Sequence, residues 1–151
     1  MTKFFFESFL RYAYFKRDSV NLKNVAKFFA ENANEEWGHA SELMEYQITR
    51  GGKVQIKALD APVHEFPGTE TKSDARVAFE SALAMEKKVH DSLLRLHAVC
   101  GNHLDPMCQD NIDHYLADQI TAIDQLARYV AELQRIGTDG YAVWLWDQEL
   151  K

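Results

Sequence analysis

The chain has 151 residues, enough for one compact domain with a real core and too few for a comfortable two. Seventeen basic against 23 acidic residues leave a formal net charge of -6 and a pI near 5.5, which argues against a nucleic-acid binder, since that class needs a basic face. Hydrophobic residues at 46% and charged residues at 26% place the chain among globular proteins rather than disordered ones. Two cysteines, Cys100 and Cys108, give no disulfide framework, so a thiol-reducing, cytoplasmic setting is the expectation.

The stretch from Phe4 to Phe15 is apolar but interrupted by Glu7 and Arg11. It is too short to cross a bilayer and shows no small-residue cleavage site, so it reads as a core helix over about 2–15 rather than a membrane segment. Lys16 to Ser19 form a turn. The second helix, about 20–50, places Leu22, Ala26, Phe29, Ala33, Ala40 and Leu43 at alternating steps of three and four. Gly51-Gly52 supply its left-handed cap. A segment over 51–72 with Pro62 and Pro67 follows. The third helix, about 73–100, carries Ala78, Ala82, Val89, Leu93 and Leu96. The fourth, about 106–136, opens with Asp105 as N-cap and Pro106 at the first helical position. A short fifth helix, about 141–148, carries Trp144, Leu145 and Trp146, read as packing residues.

The connections decide the topology. Short turns make the first and second helices one antiparallel hairpin, and the third and fourth another. The segment over 51–72 is long enough to run the length of a bundle and return the third helix parallel to the second. A single all-α domain over 1–151 is expected: a four-helix bundle with one long crossover, the ferritin-like arrangement, plus a short C-terminal helix.

Polar residues interrupt three apolar stripes. Glu36 falls on the stripe of the second helix with His39 beside it, Glu86 on that of the third, and Gln119 on that of the fourth. Centred on a turn near residue 103, Glu86 lies 17 residues before and Gln119 lies 16 after, so antiparallel helices bring them level. A lone carboxylate in such a core costs several kcal/mol unless it is paired or bound to a cation. A satisfied polar network is the metal-free alternative. The spacing Glu36-Trp37-Gly38-His39 presents two ligands from one helical face, and oxygen-rich ligation with one imidazole suits iron better than structural zinc. Cys100, His97, His103 and Cys108 gather near the same turn, but their spacing fits no closed zinc pattern.

These residues also carry a resemblance. Leu22 to Phe29, Glu35-Glu36-Trp37-Gly38-His39-Ala40, Arg50-Gly51-Gly52, Met85-Glu86-Lys87, Ser92 to His97 and His114 to Gln119 resemble eukaryotic heavy-chain-like ferritin subunits. The resemblance implies iron storage through a di-iron site, with Fe(II) oxidised by dioxygen and deposited as ferric mineral in a hollow shell. Glu36 would bridge two irons, His39 would bind the first and Glu86 the second. Gln119 would stand beside the site, with Glu35 as a transit ligand. Asp110 and Asp113 match family positions lining an entry channel, with His97 near it. The implied partners are iron, dioxygen and copies of the chain, alone or with other ferritin subunits, in a 24-subunit-type shell, with neither nucleic acid nor membrane.

The chain also departs from the family. A further glutamate ligand is expected on the first helix; height arithmetic places it near residue 0, and motif alignment places it at Met1. Glu7 is the available substitute, but six residues amount to about 600° of rotation and roughly 9 Å along the axis. Ser8 stands where the family usually has tyrosine, and Gly38 and Ser41 where mineral-nucleating subunits tend to have glutamates. The first helix is thus expected to be short by several turns, either through a truncated gene or splice form or in a subunit with a crippled first iron site, that is, a catalytically impaired structural or mineralising one. The segment Asp113 to Tyr115 is one residue shorter than usual, for which a kink or tightened turn is expected.

Overall fold

A computed structural model describes residues 2–150 and contains five helices, with no strand among the described residues. They are α1 (Thr2–Phe15), α2 (Lys23–Thr49), α3 (Asp74–Asn102), α4 (Pro106–Ile136) and α5 (Gly140–Glu149). The long helices follow from where proline is absent, because all three prolines lie outside helix interiors and Pro106 occupies the start of α4. Ser73 and Asp105 cap α3 and α4 by accepting from the backbone N–H of Arg76 and Cys108. α4 is one continuous helix from Pro106 to Ile136, through the Asp113–Tyr115 segment.

α1 packs on α2 and α3 on α4 as two antiparallel hairpins. The crossover returns along α1, where Asp60 lies 3.9 Å from Lys3 and Glu65 forms a two-pronged pair with Arg17. Phe66 is driven into the core against Tyr14, with ring centroids 5.5 Å apart. This passage brings α3 in parallel to α2, completing a four-helix bundle with one long crossover and α5 against its end.

The core falls into two apolar clusters. One gathers Phe15, Phe28, Phe29, Phe79, Leu126 and Leu133. The other gathers Val89, Leu93, Ile112 and Tyr115. Each fully buried large side chain contributes about 1.5–3 kcal/mol. Along α3 and α4 the change from one cluster to the other falls at Glu86 and Gln119.

α5 has a structural task that its tryptophans do not reveal. Leu22, at the N-cap of α2, offers no side-chain hydrogen bond. Asp147, fully buried on α5, instead accepts from the backbone N–H of Asn24 at 3.0 Å and of Val25 at 2.8 Å. Its negative charge meets the positive end of the helix dipole. Trp146 packs on Phe79 and Tyr129 and donates to Glu132, whereas Trp144 is exposed.

One expectation fails at the α3–α4 turn. Cys100 and Cys108 are joined as a disulfide, their Cα atoms 5.6 Å apart. The hairpin creates that proximity, which a count of two cysteines does not reveal.

Candidate functional site

Between α2, α3 and α4 lies a cavity of about 170 Å³, roomy enough for several water-sized species. Glu35, Glu36, His39, Glu86, Asp118 and Gln119 line it, and no lysine or arginine does. Glu36, Glu86 and Gln119 are buried, His39 is half-buried, and Glu35 and Asp118 stand at the exposed rim.

The helices bring Gln119 and Glu86 into contact. The Gln119 amide Nε2–H donates to a Glu86 carboxylate oxygen and, at 3.4 Å, toward the Glu86 backbone carbonyl. Glu36 is treated differently, because its Oε2 is buried with no hydrogen-bond partner. Burial, and then repulsion from Glu86, push the Glu36 carboxyl up to about 7. Burial also raises Glu86, opposed by the Gln119 hydrogen bond and by attraction to Arg11. Two carboxyls held above their ordinary range in a cavity without a lining lysine or arginine form a site that a multivalent cation would satisfy.

His39 is oriented by neighbours that the spacing argument missed. Its ring stands edge-on to Tyr115, with centroids 5.3 Å apart, and its Nε2 lies 3.9 Å from Asp118 Oδ2. The Tyr115 hydroxyl lies 3.1 Å from a Glu42 carboxylate oxygen and donates to it. The missed signals were the residue immediately before Gln119 and the residue one turn earlier on the same face of α4. Among the described residues, no three His, Cys, Asp or Glu side chains are gathered closely enough to hold a metal as they stand.

α1 sends no carboxylate into the cavity. The ligand position assigned to Met1 lies outside the described residues. Glu7 is buried, but its partners are Arg11 at 3.5 Å and Lys3 at 3.9 Å. Arg11, only 1% exposed, donates to Ser81 Oγ at 2.8 Å and Met85 Sδ at 3.4 Å. Its guanidinium also lies over the rings of Phe29 and Phe66. Burial pulls its pKa down to about 10 against the attraction of Glu7 and Glu86. The sequence showed Arg11 only as a break in an apolar stretch. Ser8, at the expected tyrosine position, is also buried.

The residues assigned to an entry channel lie apart from this cavity. Asp110 and Asp113 are exposed on the first turns of α4, and His97 Nε2 on α3 approaches Asp113 Oδ1 at 3.2 Å.

A four-helix bundle with one long crossover and a carboxylate cavity between three of its helices defines the ferritin-like class. A family profile described as a ferritin-like domain matches residues 9–136. Ferritin-2, chloroplastic, of Zea mays is 46% identical over 140 residues, covering 92% of this chain and 55% of that protein. Ferritin-3, chloroplastic, of Arabidopsis thaliana is also 46% identical, over 92% of this chain and 53% of that protein. The crystal structure of ferritin from the multicellular green alga Ulva pertusa superposes with a TM-score of 0.90 at 39% identity, covering 98% of this chain and 76% of that one. The chain belongs to the ferritin family. It spans about half the length of the curated relatives it matches. The cytoplasmic expectation is overturned, because these relatives are chloroplastic ferritins. It rested on cysteine usage, which speaks to redox conditions and not to the compartment that supplies them.

Proposed function

We propose that this chain is an iron-storage subunit that oxidises Fe(II) with dioxygen in the cavity between α2, α3 and α4. Iron is the substrate and cargo, and the ferric product hydrolyses to mineral inside a shell of 24-subunit type, built from copies of the chain or with other ferritin subunits. The plastid names of its relatives support a plastid setting. Glu36 bridges two irons, His39 holds the first and Glu86 the second. Gln119 keeps Glu86 aligned, and Glu35 hands iron onward from the rim. Asp110 and Asp113, with His97, concentrate cations at the entrance.

The observation that carries this reading is Glu36, a buried carboxyl with an unpartnered oxygen, facing a cavity that also receives Glu86, His39 and Gln119. An unsatisfied buried oxygen is costly in the empty protein and becomes an asset once a cation arrives. Titrating Zn(II), a redox-inert stand-in, into assembled protein by calorimetry tests the site: Glu36→Ala should remove the tightest binding phase. An unchanged isotherm would discard the assignment. For the entrance, Asp110→Asn with Asp113→Asn should slow iron uptake with the shell intact, and unchanged uptake would remove that role.

A second reading has its own observation. Because Glu7 is engaged by Arg11 and Lys3, α1 leaves the cavity without a carboxylate, as in a structural or mineralising subunit with impaired oxidation. Oxidation rates separate the two readings.

A further inference from the structure

We propose that Cys100 and Cys108 form a reversible thiol–disulfide staple that locks the α3–α4 corner in response to a small-molecule thiol couple. The backbone sets the two positions before any sulfur chemistry is invoked. Asp105 N–H donates to the Cys100 carbonyl at 3.0 Å, and Cys108 N–H donates to Asp105 Oδ1 at 3.0 Å. One residue, Asp105, thus ties both cysteines into a single turn. Its carboxylate is in turn gripped by both terminal nitrogens of Arg50 at the end of α2. Leu104 holds the left-handed φ of +53° that the turn requires. The Cα separation of 5.6 Å falls at the usual value for a disulfide.

Access is graded across the pair. Cys100 is 4% exposed, whereas Cys108 is half-buried. An external thiolate therefore meets the Cys108 sulfur first, and Cys100 departs as thiolate. In the closing direction, the Cys108 thiolate attacks oxidised glutathione and releases one glutathione thiolate. Cys100 then attacks Cys108 of the mixed disulfide and releases the second. The cysteines lose two electrons to the glutathione disulfide, and their two protons pass to the released thiols.

The staple sits just beyond a polar side-chain contact that also spans the two helices. His97 lies one turn before Cys100, and Asp113 little more than one turn after Cys108, and the two approach to 3.2 Å. Closing the staple holds that pair in register. Opening it leaves the corner to Asp105 and its hydrogen bonds.

The test uses the assembled full chain, equilibrated with set ratios of reduced and oxidised glutathione. Each sample is acid-quenched, treated with N-ethylmaleimide and weighed intact. Two labels per chain at the reducing end, none at the oxidising end, and no glutathione adduct at either end are expected. Amide hydrogen exchange over residues 101–110 should be severalfold slower in the oxidised sample, and Cys108→Ser should abolish that difference. Two labels at every ratio, chain-to-chain dimers, a persistent glutathione adduct, or an exchange difference that survives in Cys108→Ser would each overturn the proposal.

Discussion

Among the buried polar groups of this bundle, Arg11 and Glu36 are solved in opposite ways. Arg11 is enclosed by its own protein: Glu7, Ser81 and Met85 gather at one terminal nitrogen of the guanidinium and Phe29 and Phe66 cover its faces, while Nε is buried without a partner. Glu36 is left open, with an oxygen that no side chain or backbone group meets and a cavity in front of it. Burial raises the cost of both charges. A closed constellation returns that cost as rigidity within the chain, while an open one keeps it in reserve for something that arrives from outside.

The largest expected effect comes from breaking the closed side. Arg11→Leu leaves buried Glu7 with only the more distant, half-exposed Lys3 at 3.9 Å and should cost about 3–5 kcal/mol in denaturant unfolding. Adding Glu7→Val should restore most of that loss. A double variant no better than the single would mean that Arg11 acts through packing, not charge.

The open side should show itself in pH. The Glu36 carboxyl is raised, so the metal-free fold binds this proton more tightly than the unfolded chain does. Its stabilising contribution is present in full below the ordinary carboxylate pKa and is lost as pH rises toward about 7. Glu36→Gln should therefore gain stability relative to the parent between pH 5 and pH 8, by on the order of 2 kcal/mol in chelator-treated protein. Saturating Zn(II) should reverse the sign. A pH-independent difference would contradict the account of Glu36 as an open, desolvated acid.

A smaller effect is expected at Asp147, a second closed group. Asp147→Ala removes the cap of α2 from a fully buried site and should cost about 1–2 kcal/mol. Asp147→Asn, which keeps one acceptor, should cost less. Equal losses would assign the role to charge against the helix dipole.

The same contrast explains what the sequence made legible. The helices were readable because proline and glycine punctuate them and apolar residues recur at steps of three and four. Glu36, Glu86 and Gln119 stood out because each breaks such a stripe, and helix rise alone brings Glu86 and Gln119 level. The iron roles assigned to them came from a family resemblance. Arg11 breaks a stripe too, but the stretch around it was read for its overall character, so its burial went unseen. Asp147 is separated from its cap by more than 120 residues, and no local pattern links an acidic residue near the C-terminus to the start of α2. The pairing of Cys100 with Cys108 depends on a turn closed by Asp105, which spacing alone does not encode. Asp118 and Tyr115 became relevant only once His39 had a direction.

The central claim is that the open carboxylate cavity oxidises iron without a carboxylate from the described part of α1. Fe(II) oxidation under air, followed optically for the purified chain beside Glu36→Ala with Glu86→Ala, tests it most directly. A fast phase in the parent, lost or slowed by about tenfold or more in the double variant, is the predicted result. Identical traces would contradict it and leave the chain as a structural or mineralising subunit.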